Sequence, residues 1–459
     1  MLPTEVSTYL HANREKPLAE LFELLRIPSV ANRKDDACNR AADWLANRLS
    51  MLGFHCRLPD APGRPNVLAE KHVADDAPTV LIYGHYDVQP AEPLELWQSA
   101  PFEPEVRDGW IYARGANDDK GQLYAHIMAV EAWMHTAGLP VNVKFFIEGE
   151  EEIGSPHVDA FLAMHAAALA ADTCLVSDSA FFADGLPSIT TALRGLVECE
   201  LTVTGPSCDL HSGLYGGAVA NPINALARLV AAMHADVGRV TLPGFYDDVA
   251  EPDEAERRAW AELPLDEPLQ ARAIGLDALA GGERGRPLLE RLWARPTLDA
   301  NGIVGGYTEQ GAKTIIPARA SAKLSMRLVA NQQPAKIVKA LRMFVTDHTP
   351  PGVTARVDVR AAAPPVQART DGPAMDAATA ALAEAFGREA VLIRCGASVP
   401  VTEVIQRRLG VDPVMMGFGL PDDRLHSPNE RFALKQLHGG AHASAAFLRR
   451  FACRFADSH

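Results

Sequence analysis

Three short apolar runs, each separated from the next by a helix-patterned segment, predict an α/β fold with a mixed, largely parallel sheet. After about Arg194 the buried runs give way to alternating ones, which predicts a second, α+β domain inserted into the first. Residues 1–193 and 364–459 then form a discontinuous catalytic domain, and residues 194–363 the insertion.

In chain order, residues 38–52 place Ala42, Leu45, Leu49 and Leu52 at helical spacing. Residues 65–71 are strand-like, and Thr79 to Tyr83 reads as a buried strand bounded by Pro78 and Gly84. Residues 120–137 form a helix that stops before Gly138 and Pro140. Val141 to Ile147 is a second buried strand, Ser155 to Leu169 a helix, and Thr173 to Val176 a third strand. In the insertion, residues 196–205, 321–331 and 354–361 alternate as half-exposed strands, and 222–234 and 335–348 are amphipathic helices. Residues 241–300, rich in proline and acids, read as loops with short helices.

Composition narrows the function. Of 459 residues, 47% are apolar and 22% charged, a globular balance. The 58 acidic residues against 44 basic ones repel phosphate backbones, so no nucleic-acid partner is expected. The N-terminal segment lacks the basic and apolar regions of a signal peptide, and no apolar run reaches the roughly 20 residues of a membrane helix. Seven scattered cysteines without a Cys-x-x-Cys pair suit a reduced chain in the cytoplasm, away from membranes.

The chemistry-bearing residues fall where the buried strands end. The first strand runs into His85 and Asp87, the second into Glu148, Glu150, Glu151 and Glu152, and the third into Asp178. Asp118 and Asp119 stand just before a helix, where they could also serve as caps. In open α/β sheets, ligands bind at the carboxyl ends of strands. So many acids at one edge are destabilising without a countercharge, which divalent cations supply. Carboxylates with a few imidazoles suit zinc, with manganese and cobalt as alternatives. In GHYD, Asp87 is placed to orient the His85 ring.

The motifs GHYDVQP (84–90), RGANDDKG (114–121), EGEEEIGS (148–155), VSD (176–178), DLHSG (209–213), GGYTEQGAKTIIP (305–317) and HSPNE (426–430) occur in that order along the chain. Together they resemble the carnosinase-like dipeptidase branch of the aminoacylase/carboxypeptidase-type dinuclear zinc metallopeptidases. The resemblance implies a zinc-exopeptidase-like catalytic domain and an inserted lid and dimerisation domain in a homodimer. It implies two divalent ions per subunit. His85 and Asp178 would hold one, Glu152 and His426 the other, and Asp118 would bridge them. Glu151 would be the general base that deprotonates a metal-bridging water, and Asp87 would orient His85. His211, on the inserted domain, would stabilise the oxyanion of the other subunit's site in the dimer, while Arg327 and Ser398 would bind the substrate's carboxylate. Where related dipeptidases show Arg-Glu-Gly-Gly-Ser-Ile-Pro, residues 394–400 read Arg-Cys-Gly-Ala-Ser-Val-Pro, a departure that bears on substrate choice. The expected activity is hydrolysis of the amide bond of dipeptides. The rivals are an N-acyl-amino-acid deacylase and a non-catalytic peptide-binding protein on the same fold.

Overall fold

The computed structural model describes residues 1–397 and 399–458. The chain divides into two compact units, one of Met1–Thr191, Ala368–Ile393 and Val399–His459, the other of Ala192–Gln367 and Arg394–Ser398. The stretch from Arg394, which the sequence reading places with the first domain, belongs to the second unit. There Arg394 pairs with Glu256 at 2.6 Å, and Arg194 donates its backbone N–H to Ala397 O and its Nε–H to Gly396 O.

In the first unit the sheet runs His55–Arg57, Val67–Lys71, Asn142–Glu148, Thr79–His85, Thr173–Val176, Pro413–Met415, followed by the strand that starts at Ser188. The four strands from Asn142–Glu148 to Pro413–Met415 are mutually parallel, and their neighbours on both sides are antiparallel. Register aligns the carboxyl ends: His85 lies beside Glu148, and Tyr83 beside Val176. Three strands therefore release their chain at one edge, and the segments that follow them meet there.

From Val80 to His85 the second of these strands is wholly buried, as expected for a strand covered on both faces. Gly84 is required by a close approach: a Cβ there would stand 2.9 Å from both Asp119 Oδ2 and Leu123 Cδ1. The approaching element is the helix Lys120–Met134, buried all round through Trp133 and packed against the C-terminal helix Leu434–Ser458. The helix expected from Ser155 begins instead at Val158. Before it, Glu151–Ile153 forms a 3-10 turn, and Gly154 and Ser155 take positive φ of 84° and 51°. The parallel strand Pro413–Met415 was not foreseen, since three residues are too few to show a period.

The second unit holds an antiparallel sheet in the order Thr297–Gly305, Arg319–Leu328, Gly195–Thr204, Thr354–Ala363. Val197, Cys199, Leu201 and Val203 alternate inward to meet Leu226, Leu229, Leu341 and Phe344 from the helices Pro222–Ala232 and Pro334–His348. Glu198 and Lys323 point to solvent, giving the wet face the alternation predicts. The edge strand Thr297–Gly305 escaped the sequence reading because Asp299, Asn301 and Gly302 spoil its pattern. A bulge lies between Ala300 and Gly302.

Candidate metal centre

Seven of the predicted residues meet at the carboxyl edge of the first unit's sheet. His85, the last residue of its strand, is fully buried. Its Nδ1 faces Asp87, 3.1 Å from the carbonyl oxygen and 3.4 Å from Oδ1, which leaves Nε2 for the cluster. Asp87, also fully buried, accepts the backbone amides of Glu151 (3.2 Å) and Glu152 (3.0 Å). The Asp87 carboxylate thus aligns the Glu151–Ile153 turn, while the Asp87 backbone carbonyl, with Oδ1 close behind it, orients the imidazole.

Asp118 stands between two imidazoles. Its Oδ1 is 3.0 Å from His85 Nε2, and its Oδ2 is 3.0 Å from His426 Nε2. Glu152 Oε2 lies 3.2 Å from the same His426 nitrogen, and Asp178 Oδ2 lies 3.9 Å from His85 Nε2. His426 holds its place in the left-handed region, at φ 58°. Two donor groups result, His85–Asp118–Asp178 and Asp118–Glu152–His426, each with its ligand atoms within 4.8 Å of one another. They share Asp118.

The residues fit a pair of cations. His85 Nε2 is buried and has no aligned hydrogen-bond partner, although Asp118 lies beside it. An imidazole nitrogen so placed beside a carboxylate suits a cation that both could hold. Burial raises the Asp178 carboxyl to about 7, with the charge of Asp118 adding to the effect. Burial likewise pushes Glu151 well above the usual carboxylate range, and Asp178, Asp118 and Glu152 reinforce it against the opposing charge of His85. His426 is raised to about 10 by its hydrogen bonds to Asp118 and Glu152. An acid cluster strained in this way gains from positive charge at its centre.

Asp118 and Asp119 do not cap the helix that follows them. Asp119, at the N-cap position, makes no side-chain cap bond and instead accepts the His85 amide at 3.1 Å. Sequence reasoning also passed over Gln89, whose Nε2 donates to Glu152 Oε2 at 2.8 Å, and Glu430, which binds the backbone around Asp118. Both lie inside quoted motifs, GHYDVQP and HSPNE, and membership was the only signal they gave.

The remaining predicted residues lie elsewhere. His211, in the second unit, ends the strand Leu210–His211 and is exposed, with Nδ1 accepting the Gly213 amide at 3.0 Å. Arg327, also in the second unit, sits in the strand Arg319–Leu328 opposite Leu196 and Thr297. Burial and the charge of Arg327 bring Arg194 down to about 10, against the opposing influence of Cys395 and Asp299. Ser398 lies outside the described residues. No helix among the described residues is long and apolar enough to cross a membrane.

Known proteins match this chain over most of its length. The human Beta-Ala-His dipeptidase is 32% identical over 409 residues, spanning 86% of this chain and 80% of its own. The Cys-Gly metallodipeptidase dug1 of Schizosaccharomyces pombe is 31% identical, over 87% and 86% of the two chains. Among solved structures, the M20 family metallo-carboxypeptidase Sso-CP2 of Sulfolobus solfataricus superposes with a TM-score of 0.87 at 32% identity, covering 96% of this chain and 100% of that one. The model of peptidase family M20/M25/M40 matches residues 81–450, and the chain therefore belongs to that family.

Proposed function

We propose that this protein is a dinuclear metallodipeptidase whose donor groups are His85, Asp118 and Asp178 for one ion and Asp118, Glu152 and His426 for the other. The observation that carries the proposal is the pair of donor triads sharing Asp118. The named relatives support the substrate class, since their names specify Cys-Gly and Beta-Ala-His dipeptides.

With two divalent ions bound, the cluster gains Lewis-acid polarisation of the scissile carbonyl and a source of nucleophilic water near neutral pH. The chain supplies the rest. Glu151 takes the proton of the attacking water and returns it to the leaving amine. A carboxylate can act as base in the first step and, once protonated, as acid in the second. Asp87 keeps the Glu151 backbone and the His85 ring in register. Asp118 lies between the two imidazoles, where one carboxylate could serve both ions. By motif and chemistry alone, we assign His211 to the developing oxyanion and Arg327 to the substrate's carboxylate. Ser398 receives a carboxylate-binding role by motif alone.

Zinc is the proposed metal, with manganese and cobalt as alternatives, because the donors are imidazoles and carboxylates. Seven scattered cysteines without a Cys-x-x-Cys pair support a reducing, cytoplasmic setting. The protein is also proposed to be a homodimer, which light scattering tests.

Amino-acid release from Cys-Gly, Ala-Ala and β-Ala-His, with chelator and with zinc or manganese restored, tests the activity. Chelator-sensitive release restored by metal is expected. Cleavage of N-acetyl-alanine alone would show a deacylase instead. Release of C-terminal residues from longer peptides, with free dipeptides untouched, would show a carboxypeptidase instead.

A further inference from the structure

The backbone that carries Asp118 hangs from a carboxylate far along the chain. Glu430 is fully buried, and its Oε1 accepts the amide hydrogens of Asn117 at 3.0 Å and Asp118 at 3.1 Å. Its Oε2 accepts the Gly115 amide at 3.0 Å and the Arg114 guanidinium at 2.7 Å. Arg114 is itself fixed, since Nη2 donates to Pro90 O at 3.1 Å. Beside this cradle, buried Asp423 accepts Asn117 Nδ2 at 2.6 Å and the Leu420 amide at 2.7 Å.

We infer that Glu430 is a positioning residue for metal binding. Its carboxylate fixes the Gly115–Asp118 backbone before any ion arrives, and so sets where the two oxygens of Asp118 stand relative to His85 and His426. The inference rests on reading Asp118 as the shared ligand.

The geometry favours this over a purely structural anchor. Glu430 does not belong to either donor triad. It follows His426 by four residues and directly precedes the strand Arg431–Ala433, which pairs with Trp110–Tyr112 just ahead of Arg114. One carboxylate therefore ties the segment bearing His426 to the segment bearing Asp118. A ligand shared by two ions tolerates little displacement, because any movement changes both ion positions together. Groups that orient ligands in this way typically alter metal affinity by about 10- to 100-fold when removed.

The test uses the full-length protein stripped of metal by a chelator. Zinc is then titrated calorimetrically into wild type, E430Q and D118N, at a temperature where each is folded by circular dichroism. The change E430Q keeps the side chain's size but turns an N–H₂ toward amides that are themselves donors. Weakening of zinc binding by about 10- to 100-fold in folded E430Q is expected. A merely structural role would lower the melting temperature and leave the affinity of the folded protein unchanged, which would overturn the inference. Unchanged affinity in D118N would instead sink the reading of Asp118 as a ligand, and this inference with it. Should E430Q not fold, hydrogen–deuterium exchange of metal-free wild type over residues 113–119 decides. Protected amides at Gly115, Asn117 and Asp118 support a loop set in advance. Rapid exchange that slows only when zinc is added rules it out.

Discussion

His426 Nε2 and Asp118 Oδ2 meet at 3.0 Å although 308 residues separate them in the sequence. His426 carries a conformational cost at φ 58°, and such strain persists only where its surroundings over-determine it. The surroundings here are the Asp118 and Glu152 carboxylates, both within 3.2 Å of that nitrogen.

Replacing Glu151 with Gln removes the proton carrier and leaves the donor triads intact. Turnover is expected to fall about 100- to 10,000-fold with metal content unchanged. Steady-state kinetics beside elemental analysis checks both halves. A fully active variant would remove Glu151 from the mechanism.

Asp87→Asn exchanges an acceptor of two amides for a group with only one acceptor oxygen. The Glu151–Ile153 turn loses one of its amide acceptors, and the His85 ring keeps the Asp87 backbone carbonyl but loses the carboxylate charge 3.4 Å from its Nδ1. Metal affinity or kcat should drop about 10- to 100-fold. Competition with a chromophoric chelator measures the affinity term separately from turnover.

Stripping the metal leaves crowded carboxylates facing one another. The melting temperature should fall on chelation and recover when zinc is restored. Each site contributes about 2.7 kcal/mol at a metal concentration of about 100 times its dissociation constant. Differential scanning calorimetry at several zinc concentrations tests this, and a melting temperature indifferent to zinc would contradict it.

His126 supplies a pH dependence of stability. It is buried, with Nε2 2.7 Å from Ser177 Oγ and Nδ1 2.8 Å from Ser444 Oγ. Ser177 commits its hydroxyl to Met416 O at 2.7 Å, so Nε2 carries the ring proton and Nδ1 accepts. Burial pushes the imidazole down to about 3, below its ordinary 6.5. As pH falls below the ordinary value, the unfolded chain gains a proton that the folded chain refuses, and stability drops. Denaturation midpoints at two pH values on either side of 6 should diverge less in His126→Gln than in wild type. Equal divergence would refute this.

The sequence exposed the parts of the molecule that rest on local pattern. Thr79–His85 and Asn142–Glu148 announce themselves as buried runs, and the alternation of residues 196–205 reveals the wet sheet of the second unit. Ligand types at strand ends were visible for the same reason, because a parallel register brings those ends together. What stayed hidden depends on distant pairing. Neither Pro413–Met415, nor the acceptance of three backbone amides by Glu430, nor the hold of Asp119 on the His85 amide leaves a periodic trace. His426 was recognised by its motif, since nothing around it in sequence marks it as a partner of Asp118.

The two donor triads differ in when they can exist. His85, Asp118 and Asp178 all precede the second unit, whereas Asp118, Glu152 and His426 close only after it. A ribosome has therefore emitted every ligand of the first triad well before it reaches the last ligand of the second. Synthesis itself imposes an order on the centre, and a chain cut short ahead of residue 426 carries one complete set of donors and one that lacks its imidazole.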